Sequence, residues 1–141
     1  DGSAKGRFGA MVRAQGGPAN FADRWQDYLE IAPAYQLRAA NTGYLSEIDG
    51  AALGQAVVTL GGGRQREDDR IDHSVGLSDI TPLGTYLRKG APIARLHCRS
   101  SKQADIALRA VQAALTLSSK PPVLPALVIE RIMPEKVSKH G

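Results

Sequence analysis

Three consecutive glycines, Gly61, Gly62 and Gly63, stand between an apolar helical pattern and a charged run, and that junction limits the folds open to the chain. Glycine loses more backbone freedom on folding than any other residue and costs a helix interior roughly 1 kcal/mol relative to alanine. A triglycine therefore marks a helix end. Upstream of it, Leu53, Ala56, Val57 and Leu60 follow an i, i+3, i+4, i+7 stripe, and Asp49 stands where an N-cap belongs. The pattern predicts a helix over 50–60, with Gly61 in the end position that favours positive φ. Downstream, Arg64, Arg66 and Arg70 alternate with Glu67, Asp68 and Asp69, which reads as a loop running into Ile71-Asp72-His73-Ser74-Val75-Gly76.

The remaining punctuation divides the chain further. Ala4, Phe8, Met11 and Val12 recur at helical spacing, with Ser3 as N-cap and Gly16-Gly17-Pro18 as the stop. A second short helix is predicted over 20–28, around Phe21, Trp25 and Leu29, and Pro33 marks a linker over 30–36. Residues 37–48 read as extended chain with a turn at Asn41-Thr42-Gly43. Strands are predicted at 70–75 and 93–99, with glycine turns between apolar residues over 83–93. A helix is predicted over 100–117. Ser100 and Gln103 match a capping box, and Ala104, Ala107, Leu108, Val111, Ala114 and Leu115 share one face. Pro121, Pro122 and Pro125 force an extended segment, 126–132 reads as a final strand, and 135–141 as a frayed end. The first two helices have little to pack on, and residues 1–11 contain neither an initiator Met nor a signal-peptide core. The chain is expected to be a piece of a larger unit.

Composition excludes several functional classes. Hydrophobic residues make up 43% of the 141 and charged residues 23%, an ordinary balance for a soluble globular domain. No apolar run approaches the roughly 20 residues of a membrane helix, so no membrane partner is expected. The net charge is +4, yet the 18 basic and 14 acidic residues are interspersed. A nucleic-acid face gathers bases on one side, and single-strand binders add stacking aromatics. Neither is present, and no nucleic-acid partner is expected. Cys98 is the single cysteine, which excludes an intrachain disulfide and a multi-cysteine zinc site. It reads as a small buried strand residue, compatible with a reducing cytoplasm.

Candidate chemistry is sparse. Gly61-Gly62-Gly63-Arg64 invites a phosphate reading, because backbone N–H groups and an arginine can cradle an anion. Phosphate loops, however, place their glycines after a strand and before a helix, whereas these follow a helix. Asp68, Asp69, Asp72 and His73 lack the ligand spacing of a calcium loop, and His73, His97 and His140 form no paired-histidine motif. No metal site and no cofactor are expected. Ser74 follows His73, and Cys98 follows His97, but neighbours in a strand point to opposite faces and cannot form a nucleophile–base pair. The glycine spacing around Lys89 resembles the hairpins of lipoyl and biotinyl carrier domains. Lys89 adjoins Gly90 and reads as a solvated turn residue rather than a modification site.

The order of segments over 7–117 resembles the C-terminal part of bacterial thymidine phosphorylases, within the pyrimidine-nucleoside phosphorylase family. The landmarks are Met11-Val12-Arg13-Ala14-Gln15-Gly16-Gly17-Pro18, then Tyr44-Leu45-Ser46-Glu47-Ile48-Asp49 and Leu53-Gly54-Gln55-Ala56-Val57-Val58. Gly61-Gly62-Gly63-Arg64, Asp69-Arg70-Ile71-Asp72-His73-Ser74-Val75-Gly76 and the helix after His97 complete them. The resemblance implies an enzyme that cleaves thymidine with phosphate to thymine and 2-deoxyribose 1-phosphate. It also implies a cytoplasmic homodimer with an α domain and an α/β domain. The family's Lys-His-Ser-type phosphate segment, its catalytic histidine and its base-binding Arg, Ser and Lys lie upstream of the region that matches. Lys139-His140-Gly141 is not that segment.

The expectation is thus an α+β chain: a β-rich half-barrel, hammerhead-like domain with flanking helices over 36–118. The helical end of a larger α/β domain and a linker precede it over 1–35, and an extended proline-containing tail follows over 119–141. No catalytic residue is assigned. Gly61, Gly62, Gly63 and Arg64 are candidate cleft-lining residues. The partners implied are the rest of the same phosphorylase chain, a second copy, phosphate and a pyrimidine nucleoside. The alternatives are a stand-alone lipoyl- or biotinyl-like module, or a small-anion binder at 61–64.

Overall fold

Local capping decides where the helices begin and end. A computed structural model describes residues 1–132. Helix α1 spans Ser3–Ala14 and is followed by the short α2, Phe21–Arg24, and a 3₁₀ turn, Trp25–Tyr28. Ser3 is the first helical residue and not the cap; Gly2 takes that position with φ 84°, and no side chain caps it. At the other end Gly16, with φ 83°, donates to the Arg13 carbonyl while Gly17 donates to Val12, which closes the helix as a glycine stop does. Asp49 caps helix α3, Gly50–Val57, by accepting from the Ala52 N–H at 2.9 Å. Ser100 caps α4, Ser101–Ala113, by accepting from the Gln103 N–H at 3.3 Å. Helix α4 stops four residues short of the expected 117. Residues Leu115–Ser118 form strand β6 instead.

Among the described residues, six strands build two three-stranded antiparallel sheets, and the chain alternates between them. Strands β1 (Ala34–Arg38), β3 (Gly76–Ser78) and β5 (Pro92–His97) form one sheet in the order β1-β5-β3. Strands β2 (Gly43–Ile48), β4 (Tyr86–Leu87) and β6 form the other in the order β4-β2-β6. The turn at 40–42 therefore carries the chain from one sheet to the other and does not fold a hairpin. Likewise β4 and β5 do not pair across the Lys89-Gly90 turn. The sheets do not close into a barrel. Strand β1 starts at Ala34, inside the segment 30–36 that reads as a linker in the sequence.

Two strand expectations are corrected. Residues 70–75 make no ladder, because Asp72 accepts from both the Ser74 N–H (3.0 Å) and its hydroxyl (2.7 Å) and folds the chain into a turn. The strand begins only at Gly76. Residues 126–132 run without a ladder partner among the described residues. The expected frayed end, 135–141, and Lys139-His140-Gly141 lie outside the described residues.

One core joins both sheets to α3 and α4. Strand β5 turns Ala94 and Leu96 to it and Cys98 follows just past the strand, all at most 1% exposed. Leu37, Leu45 and Leu87 reach it from β1, β2 and β4, and α4 contributes Ala104, Ala107 and Val111. Leu53, Ala56 and Leu60 close it from the α3 side, the face expected from their spacing. Val57 is only half-buried. The contact between β2 and β6 is close: a Cβ on Gly43 would lie 2.7 Å from the Ser118 carbonyl oxygen.

A polar tie fastens the linker to the end of β5. Arg99 makes two hydrogen bonds to the Asp72 carboxylate and a third to Glu30 at 3.0 Å. The Arg99 guanidinium and the Ser74 hydroxyl hold the Asp72 carboxyl well below the usual aspartate range. The backbone reinforces the tie, with Ala32 N–H donating to Ser74 and Cys98 N–H to Pro33.

Two outcomes follow for stability. Leu96→Ala should cost roughly 2–5 kcal/mol, whereas Ile106→Ala on the exposed side of α4 should stay within about 0.5 kcal/mol. Denaturant unfolding of both variants checks this, and equal losses would refute the assigned core. Because the folded pKa of Asp72 is lowered, its contribution is complete above the unfolded value of about 4 and fades as pH falls below it. The stability gap between the native chain and Asp72→Asn should be widest near neutral pH and narrow under acid. A gap unchanged from pH 7 to pH 3 would remove the ionised carboxylate from the tie.

Candidate functional site

Helix α3 ends in a widened π-turn over Val58–Gly62, and the triglycine shapes it. Gly61 sits at φ 95°, where a side chain is strained, and its carbonyl accepts from the Asp72 N–H at 2.8 Å. A Cβ on Gly62 would meet Val57 Cγ1 at 2.7 Å and Val75 Cγ2 at 3.3 Å, so only glycine lets the turn pack this closely. The loop beyond is closed by Asp69, whose carboxylate accepts from the Gln65 and Arg66 N–H groups at 3.0 and 2.9 Å.

Beside this turn lies a hollow of about 300 Å³ lined by Thr59, Gly61, Gly63, Gln65, Asp69 and Arg70. Of the four candidate residues, Gly61 and Gly63 line it. Gly62 is packed against Val57 and Val75, and Arg64 is exposed with no ion pair among the described residues. Arg70, not singled out by the sequence, supplies the hollow's positive charge. The helix presents its carbonyl end here, which opposes rather than assists an anion.

The other sequence candidates are accounted for by structural contacts. Asp72 is committed to Arg99 and Ser74, His73 is exposed, and among the described residues no three His, Cys, Asp or Glu side chains gather as a metal site. Cys98 is fully buried and donates its thiol to the Ser100 carbonyl, while burial pushes its pKa up, which leaves it unreactive. Lys89 is exposed in its turn, with its backbone N–H donating to Thr42 Oγ1 at 3.0 Å.

A second hollow, of about 400 Å³, lies between the 3₁₀ turn and the β3–β5 sheet. It brings together Trp25, Leu29, His73, Ser78, Arg95 and His97. His97 Nδ1 lies 3.3 Å from the Ala32 carbonyl, and Nε2 lies 2.8 Å from Ser78 Oγ. A carbonyl only accepts, so Nδ1 carries a proton, and in the neutral ring Nε2 accepts from the serine. Hydroxyl to neutral imidazole is the pairing that activates a nucleophile. Here the third partner is a main-chain carbonyl, and the trio laces the linker to β3 and β5. Sequence reasoning missed this pair because the residues stand 19 apart and meet only through the register Ser78 opposite Arg95. Arg95 in turn pairs with Asp79 at 3.1 Å.

The chain has close relatives among known proteins. Residues 44–118, which cover both sheets' junction, α3 and α4, match the family described as pyrimidine nucleoside phosphorylase C-terminal domain. Thymidine phosphorylase of Sinorhizobium fredii is 43% identical over 93% of this chain. That of Sinorhizobium medicae is 43% identical over 94%, and that of Colwellia psychrerythraea 38% identical over 90%. The chain spans about 30% of the length of these relatives. A lipoyl- or biotinyl-like module finds no support in these likenesses. The family match over 44–118 covers more than half of the chain, and the chain belongs to the pyrimidine nucleoside phosphorylase C-terminal domain family.

Proposed function

We propose that this chain is the C-terminal part of a thymidine phosphorylase, which converts thymidine and phosphate to thymine and 2-deoxyribose 1-phosphate. The observation that carries the reading is the 43% identity to such enzymes across 93% of the chain. The reaction would proceed through an oxocarbenium-like transition state. Catalysis would rest on holding phosphate at the anomeric carbon and on electrostatic support for the departing thymine. The groups that do this belong to the upstream polypeptide in this reading, and no residue of the present chain is assigned a catalytic role. The homodimer, the cytoplasmic location and the absence of a cofactor belong to the same proposal.

The contribution of this chain is scaffold. Its core is complete within itself, and its triglycine turn presents Gly61, Gly63 and an exposed Arg64 at the surface, ready to line a cleft formed when domains close. The intact polypeptide, given thymidine and phosphate, should release thymine, and the 141-residue chain alone should release none. Turnover by the chain alone would overturn the division of labour. In the intact enzyme, Arg64→Ala should raise the KM of a substrate roughly tenfold, the loss of one charge-assisted hydrogen bond of about 1.5 kcal/mol. Unchanged kinetics for both substrates would remove the loop from the cleft.

A further inference from the structure

The end of the described chain behaves differently from its centre. Residues 121–132 leave the β2–β6 sheet without forming a helix or strand, and Val123, Leu127, Ile129 and Ile132 are 87–101% exposed. Leu124 and Val128 are also open, at 57% and 70%. Isolated exposed apolar residues are ordinary, but a contiguous row of this kind marks a contact surface. The segment is built for extended pairing. Pro121, Pro122 and Pro125 exclude helix from its first part, and Leu127-Val128-Ile129 has the branched, apolar character of a strand. Its direction is set at one point, where Leu124 rests on the turn at Gly84: its Cδ2 lies 3.0 Å from the place a Gly84 Cβ would occupy.

The opposite end of the chain is also unfinished. Phe8, Met11, Trp25, Tyr28, Leu29 and Ile31 are 41–49% exposed, while the core between the two ends is closed. Both open surfaces belong to a chain that makes up about 30% of its relatives' length. The likeness to the Sinorhizobium medicae enzyme covers 94% of the chain, so part of the segment beyond Lys120 lies inside it.

Resting on the phosphorylase reading above, we propose that residues 126–132 form a clasp: they add as a strand to a sheet edge in the polypeptide that precedes α1. Strand addition satisfies the backbone of the segment and buries Leu127 and Ile129 on one face, with Val128 and Ile132 on the other. The occupant is the upstream part of the same polypeptide rather than a second copy, for two reasons. Both unfinished surfaces need covering, and the missing two thirds is tethered directly to α1, which gives it a high effective concentration.

Hydrogen–deuterium exchange tests the clasp in the full-length polypeptide and in the 141-residue chain side by side. Amides of 127–132 should exchange at least a hundredfold more slowly in the full-length protein. Truncation after Pro125, and separately Ile129→Pro, should lower the melting temperature of the full-length protein by several degrees, while the same changes leave that of the 141-residue chain unaltered. Equally fast exchange in both proteins would overturn the clasp. Protection in the 141-residue chain that disappears on dilution would overturn it in favour of exchange between copies. Thymidine phosphorolysis, measured on the same full-length sample, separates the two readings. Activity with an unprotected tail sinks only the clasp, and a protected tail without activity sinks only the enzymatic reading.

Discussion

Strand β5 is the constraint on which the rest depends. It pairs on both edges, with β1 and β3, and its alternation divides two tasks between its faces. Ala94 and Leu96 enter the common core, joined by Cys98 just past the strand, and full burial of a side chain such as Leu96 is worth about 2–3 kcal/mol. Arg95 and His97 face the other way, toward the linker and the 3₁₀ turn. Arg99, just past the strand, draws in Asp72 and Glu30. One six-residue strand thus fixes the core, the register of its sheet and the attachment of everything before Ala34.

Much of this was legible from local chemistry. Asp49, Ser100 and Gly61 each have a short-range role, a side-chain cap or a positive φ, and each fills it. The buried stripe of α3 also follows from its spacing. What was not legible depends on partners distant in sequence. Leu115 and Leu117 continue the helical spacing of α4, but Leu115 pairs with Ile48 and Leu117 with Leu45, and ladder formation overrides periodicity. The 70–75 segment carried its own warning. Aspartate two residues before serine is a turn signature, and it outweighed the β-branched residues around it.

The candidate site divides in the same way. The triglycine announced a turn, and the turn is there, but which side chains share its hollow depends on how the charged loop folds back. Asp69 closes that loop and brings Arg70 to the hollow, while Arg64 stays outside. The Ser78–His97 pair had no sequence signal, since it exists only through antiparallel register.

The alternation of the chain between two sheets has a consequence for synthesis. Strand β1 finds its neighbour only when residues 92–97 have been made, and β2 gains its second partner only with residues 115–118. Pairings this distant slow folding, because loop closure precedes any gain from contact. On the ribosome, α1, β1, β2 and α3 emerge well before the strands that bury them. The first sheet can complete once residues 92–97 have emerged and the second only with residues 115–118, so a ribosome stalled before Leu115 leaves Leu45 with an incomplete sheet around it.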